Sequence, residues 1–160
     1  MFTVISILLV IFFLLMNAFF VIAEFALVRV RKSQIELAVE EKKPGARAAK
    51  KIAENINAYL SACQLGITLA SLAIGWLGEP AVSAVLEMPL LAAGLPESTI
   101  YPICVGVGFF IVTTLHVVVG ELIPKSFAIF STEKYALATA GPLALFYKIT
   151  YPFMWLFNGI

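Results

Sequence analysis

Long apolar runs alternate along the chain with short segments in which the charged residues are concentrated. The apolar runs cover about 2–30, 57–78 and 100–131, and each supplies the roughly 20 residues that a helix needs to cross a hydrocarbon core of about 30 Å. A membrane strand would instead alternate apolar and polar positions over about ten residues. The pattern therefore predicts an all-α membrane protein with three transmembrane helices.

Two further segments carry a mixed pattern of apolar and polar residues. Between the first two runs, residues 33–54 combine apolar and basic positions around the helix-breaking pair Pro44-Gly45. We expect two short amphipathic helices on the inner membrane surface there, with a solvated basic loop as the alternative. Residues 135–158 favour a juxtamembrane interfacial helix, because Lys148 would be costly at the centre of a fourth span, which is the alternative.

Composition agrees with a protein surrounded by a lipid bilayer. Hydrophobic residues make up 61% and charged residues 13% of the 160 positions, against roughly 45–50% and about 25% in soluble domains. We expect no nucleic-acid partner and no enzymatic activity, since no HExxH, Ser–His pair or cofactor motif occurs in the spans.

The charges are distributed unevenly although the net charge is only +1. Eight of the eleven Lys and Arg lie between Arg29 and Lys51, whereas the connection 79–98 holds three glutamates and no base. The positive-inside rule then places residues 29–55 in the cytoplasm and 79–98 outside. We expect a multi-pass protein of the cell membrane with its N-terminus outside and its C-terminus cytoplasmic.

Two glutamates fall inside the predicted spans, where an ionisable group by default indicates a functional site. Glu24 lies five residues before Arg29, which corresponds to about 7–8 Å of helix, and Glu121 lies four residues before Lys125. Both carboxylates are therefore expected at a similar depth in the cytoplasmic half.

Neutral oxygens accompany these carboxylates. Ser61, Gln64, Thr68 and Ser71 follow spacings of three, four and three, so they share one face of the second helix. Interhelical hydrogen bonding is the alternative role for such small polar residues. Asn17, in the middle of the first helix, fits ion coordination and a bond between helices equally well.

The stretch "HVVVGELIPKS" (116–126) combines a carboxylate with a helix break. Pro124 cannot donate a hydrogen bond to the carbonyl of Gly120, so we expect a kink and free carbonyl oxygens there. Such carbonyls coordinate cations in transporters, and an oxygen-rich site with Glu121 suits a hard cation such as Mg²⁺. For His116 we expect packing or hydrogen bonding, because zinc or copper would need further His or Cys ligands.

Three segments resemble the DUF21 transmembrane domain of the CorC/CNNM family of magnesium transporters. They are "NAFFVIAEFALVRVRKSQI" (17–35), "YLSACQLGITLASLAIGWLGEPAV" (59–82) and "HVVVGELIPKSFAI" (116–129). The resemblance implies a homodimer of three-helix protomers followed by cytoplasmic CBS domains, which lie outside these 160 residues. It also implies Mg²⁺ export driven by Na⁺ entry, with a dehydrated Mg²⁺ in an acidic, inward-open cavity.

Carried over residue by residue, the resemblance places the ion at Glu121 and the Gly120 carbonyl, with Thr68 and Ser71 lining the cavity. One departure concerns the first helix, where some members have "FFSG" and this chain has "FFVI" at 19–22. Val21 offers no side-chain oxygen, so Asn17 or Glu24 is expected to substitute. A Mg²⁺ sensor or regulatory scaffold that binds the ion without moving it is the alternative function.

Overall fold

The computed structural model describes residues 2–158, with side chains from 4 to 155, and the regular secondary structure of this part is entirely helical. In chain order the elements are α1 (Phe2–Arg29), α2 (Lys32–Glu40), α3 (Ala46–Glu54), α4 (Ile56–Ala92), α5 (Glu97–Leu115), a π-helical segment (His116–Leu122), α6 (Ile123–Phe130) and α7 (Thr132–Asn158). Val4–Arg29, Ile56–Ala92 and Glu97–Phe130 are long and apolar enough to cross a membrane. These observations confirm an all-α membrane protein with three candidate spans.

The second spanning helix is longer than the sequence indicated. We predicted a span of 57–78 and a separate short helix within 79–98, but α4 continues through Pro80 and Pro89 to Ala92. Membrane helices tolerate proline where neighbouring helices support the chain. Here Ala81 is buried against α1 and α5, and Gly78 lies so close to Val112 of α5 that an added Cβ would clash. This packing holds the helix together beyond the first proline.

The basic segment forms two helices, so the alternative of a solvated loop is wrong. Their apolar positions, Ile35 and Ala38 of α2 and Ala46 and Ile52 of α3, are buried in one cluster with residues of α1, α4 and α7. Gly45, which joins the two helices, has a φ of 81° and packs directly on the backbone carbonyl of Leu137 in α7. Protein contacts therefore cover the apolar faces that we assigned to the membrane surface.

The core divides into two clusters along the length of α1. Phe20, Ala23 and Leu27 belong to the larger cluster with α2, α3, α4, α6 and α7, whereas Val10 and Leu14 pack with α4 and α5 in the smaller one. Alpha-carbon approaches are close at Gly66 of α4, where an added Cβ would lie 2.5 Å from the Phe20 ring. Small residues at such positions let membrane helices pack tightly. Asn17 lies on α1 between the two clusters.

Candidate polar site between the spanning helices

Asn17 is the polar residue at the centre of the helix bundle. Its side chain is fully buried, although it lies in a helix that is otherwise apolar for many residues on either side. Asn17 Nδ2 donates to the Gly120 carbonyl at 3.0 Å, and Asn17 Oδ1 accepts from Ser71 Oγ at 3.3 Å. One amide therefore joins α1 to both other spanning segments.

The Gly120 carbonyl lies in the π-helical segment that precedes Pro124. Within an α-helix this oxygen would accept from residue 124, which has no N–H. The chain widens instead, as shown by the backbone hydrogen bond from Ile123 to Val118, five residues back. The expected interruption of the helix is therefore present, but the carbonyl that we predicted to be free accepts from Asn17.

The absence of a side chain at Gly120 allows this contact. An added Cβ would lie 3.0 Å from Asn17 Nδ2 and 3.0 Å from His116 Cδ2. Both distances are tighter than ordinary van der Waals contact, so any larger residue would push Asn17 or His116 aside. The glycine thus serves the approach of α1 as well as the backbone geometry.

Ser71 and His116 complete a directed chain of hydrogen bonds. Ser71 Oγ lies 3.1 Å from His116 Nε2 as well as 3.3 Å from Asn17 Oδ1. A serine hydroxyl has one proton to donate, and the amide oxygen of Asn17 can only accept it. His116 must then donate from Nε2 to Ser71, which assigns the tautomer. The expected hydrogen-bonding role of His116 is confirmed, but its bond to Ser71 could not be read from the sequence.

Glu121, next to the network, forms an ion pair on its own helix. Glu121 Oε2 lies 3.3 Å from Lys125 Nζ, and both side chains are about one-third exposed. Lys125 also lies over the ring of Phe25 of α1, 5.2 Å from its centroid, and interacts electrostatically with the half-buried Glu24. The two predicted carboxylates therefore share one lysine as their positive neighbour.

The remaining candidates on α4 do not reach this network. Gln64 and Thr68 are exposed and Ser61 is partly so. The hydroxyls of Thr68 and Ser61 donate to backbone carbonyls one turn back in their own helix, at 2.8 and 3.1 Å. Of the four residues that share the predicted polar face, the structure brings Ser71 alone into contact with Asn17.

The site is built mainly from neutral oxygens. Within residues 2–158 no group of three or more His, Cys, Asp or Glu side chains is placed to hold a metal ion. No fully buried side-chain nitrogen or oxygen in that part of the chain lacks a hydrogen-bond partner. Any cation bound here would have to use carbonyl, amide and hydroxyl oxygens together with Glu121.

These features define a multi-pass helical membrane domain with a polar centre at a break in its third span. Residues 8–160 match the family described as "Cyclin M transmembrane N-terminal domain", CNNM, and the chain belongs to this family. The family assignment made from the quoted motifs is thereby confirmed.

Relatives in Bacillus subtilis support the same assignment. The chain is 48% identical to the UPF0053 protein YugS over 89% of its length, 46% identical to YhdT over 90% and 41% identical to YrkA over 98%. It covers 33%, 31% and 36% of those proteins, respectively. The chain thus spans about a third of the length of the curated relatives that it matches.

Proposed function

We propose that this domain transports Mg²⁺ across the cell membrane, exporting it in exchange for Na⁺. The observation that carries the proposal is the Gly120 carbonyl, held by Asn17 at a proline-associated break inside the three-span bundle. Broken backbone at membrane depth is tolerated where it lines a protein cavity, and carbonyls of this kind coordinate cations in transporters. The choice of Mg²⁺ and Na⁺ rests on the resemblance to CorC/CNNM transporters.

The arrangement of charges suits a state without bound ion. Glu24 and Glu121 together carry two negative charges and Lys125 one positive charge, if all three are ionised. We propose that Mg²⁺ displaces Lys125 from Glu121 and binds this carboxylate together with the second lone pair of the Gly120 carbonyl. Oxygens of Asn17 and Ser71 are close enough to the carbonyl to contribute after small rotations of their side chains.

We further propose that the protein functions as a homodimer with its basic segment in the cytoplasm. Gln64 and Thr68 are exposed on a spanning helix, and a polar amide facing lipid would be costly. A second copy of the chain, or a water-filled cavity beside it, would remove that cost. The positive-inside rule supports a cytoplasmic location for Arg29–Lys51 and an external N-terminus. The remaining two-thirds of the relatives' length leaves room for the CBS domains implied by the resemblance.

Mg²⁺ flux from proteoliposomes containing the purified full-length protein tests the proposal. Glu121→Gln should reduce flux at least tenfold, because the neutral amide cannot compensate the charge of the ion. Glu36→Gln, an exposed substitution on α2, is the matched control and should transport normally. Unchanged flux in Glu121→Gln would exclude this site, whereas saturable Mg²⁺ binding without wild-type flux would support a sensor instead. Repeating the measurement without a Na⁺ gradient tests the coupling.

Lys125→Gln provides a second test with the opposite sign. Removing the ammonium group frees Glu121 and makes the local charge more negative, so Mg²⁺ should bind more tightly, by about tenfold if the pair contributes roughly 1 kcal/mol. Calorimetry on wild type, Lys125→Gln and Lys134→Gln measures this, with Lys134 as an exposed control. Weaker binding in Lys125→Gln than in the control would contradict competition between the lysine and the ion.

A further inference from the structure

A cavity of about 730 Å³ lies between α7 and the junction of α3 with α4. Two lysines line it from opposite sides, Lys51 near the end of α3 and Lys148 on α7, together with Asn55 and the tyrosines Tyr59 and Tyr147. No aspartate or glutamate is among the lining residues. The cavity is separate from the Asn17 network and takes no part in the proposed ion path.

Both lysines lack a negative partner in the described part of the chain, residues 2–158. Lys148 is flanked on α7 by apolar side chains that are largely exposed, Leu145 at 62% and Ile149 at 66%. In a family of membrane domains, such an apolar surface faces lipid. A lysine within it is stabilised by reaching an anionic group at the level of the headgroups.

The tyrosines give the cavity an aromatic wall with polar tips. The rings of Tyr59 and Tyr147 are 4.4 Å apart, and Tyr59 is only 5% exposed. Its hydroxyl has no hydrogen-bond partner among the described residues, yet no sealed side-chain oxygen there is unsatisfied. The Tyr59 hydroxyl therefore opens to the surface, and the cavity that Tyr59 lines is where it does so. Tyrosine is typical of membrane–water interfaces for this reason.

We infer that this cavity binds the headgroup of an anionic phospholipid. The phosphate lies between Lys51 and Lys148 and accepts hydrogen bonds from tyrosine hydroxyls, while the acyl chains follow the exposed apolar surface of α7. A soluble phosphate would use the lysines but leave Leu145 and Ile149 without a partner. The position at the first turn of α4, where a spanning helix begins, favours a lipid as the source of the phosphate.

Native mass spectrometry of the purified full-length protein, released from micelles with equal amounts of phosphatidylglycerol and phosphatidylcholine, tests the inference. The wild type should retain phosphatidylglycerol preferentially. The double variant Lys51→Gln/Lys148→Gln should lose this preference by about 25-fold, since each lysine near an anionic lipid contributes about fivefold. The double variant Lys50→Gln/Lys134→Gln removes the same charge from the same two helices outside the cavity and should behave as wild type.

Further arms make each outcome decisive. Lys51→Arg/Lys148→Arg should keep the preference, because it preserves the charges. Full preference in Lys51→Gln/Lys148→Gln, or an equal loss in the Lys50/Lys134 control, would overturn the site. Competition by glycerol 3-phosphate at concentrations equal to the lipid would also overturn it, because the acyl chains would then contribute nothing. These readouts are independent of Mg²⁺ flux, so the result stands whether or not the domain transports the ion.

Discussion

The two sides of α4 treat similar polar residues in opposite ways. Ser71 bonds to Asn17 and His116 in the interior, whereas Thr68, three residues earlier, is exposed and bonds to its own helix. The buried side of α4 is a row of small residues with Gly66 and Ala70 at its centre. At about 100° per residue, Thr68 points roughly 160° away from Ala70.

Ser71 differs because of its neighbours further along the helix. It lies about 60° from Ile74, which is buried at 1% exposure in the smaller core cluster. Ser71 is therefore at the edge of the packed side, and the other members of the predicted polar face are beyond it. Shared spacing places residues on one side of a helix, but the row of small residues decides which side meets α1.

Replacing Asn17 should have the largest effect on stability. Asn17→Leu keeps approximately the same volume but leaves the Gly120 carbonyl and Ser71 without their partner, at a cost of about 1–3 kcal/mol. Thr68→Val removes a hydroxyl that bonds within its own helix, and we expect a change within about 0.5 kcal/mol. Reversible denaturation in mild detergent measures both, with circular dichroism as a check on folding. Equal effects would remove the distinction between the two sides of α4.

Two glycines of α4 give a smaller, steric version of the same comparison. Gly66→Ala introduces a methyl group against the Phe20 ring and should destabilise the protein by about 1–2 kcal/mol, typical of overpacking. Gly75 has no atom within 4 Å of an added Cβ, so Gly75→Ala should be neutral or slightly stabilising. The same denaturation assay applies. Strong destabilisation by Gly75→Ala would show that this surface is covered, as in a dimer.

Accessibility to water sharpens the comparison on the outer side of α4. Gln64 is exposed in the protomer, and Leu72, two turns further along, is 67% exposed. If Gln64 faces an aqueous cavity, a membrane-impermeant thiol reagent should label Gln64→Cys several times faster than Leu72→Cys. The native Cys63 and Cys104 are buried, and the unsubstituted protein corrects for them. Equal labelling rates would place both positions in the same surroundings, and spontaneous cross-linking of Gln64→Cys would indicate a dimer interface.

The smallest effect is expected far from α4, where an exposed ion cluster joins the α2–α3 turn to α7. Lys43 Nζ lies 2.8 Å from Glu41 Oε2 and 2.9 Å from Glu133 Oε1, and hydrogen bonds to these two glutamates raise the pKa of Lys43 above its usual 10.5. Because the folded pKa is the higher one, this stabilisation is complete below pH 10.5 and is lost as pH rises through the folded value. Lys43→Gln should abolish that alkaline component of the melting curve and leave neutral stability nearly unchanged. An identical alkaline profile in wild type and Lys43→Gln would contradict it.

Local features of the sequence were sufficient for the elements but insufficient for the site. The apolar runs and Pro44-Gly45 predicted the spans and the turn between α2 and α3, because helix length and backbone restrictions depend on neighbouring residues. The extension of α4 past Pro80 was missed, since it depends on the packing of Gly78 against Val112. The single Asn17 in an apolar helix was a visible signal, but its partners are 54 and 103 residues away.

The sequence by itself determined that this protein is a helical membrane domain of the CNNM family with three spans and one basic segment. Those properties follow from the cost of exposing polar backbone and charges to lipid, which each segment meets independently of the others. The tertiary structure decided that Asn17 takes the carbonyl of Gly120, that Ser71 alone of its polar row turns inward and that Lys125 holds Glu121. Hydrogen bonds between distant helices depend on their relative rotation, and close packing of small residues sets that rotation.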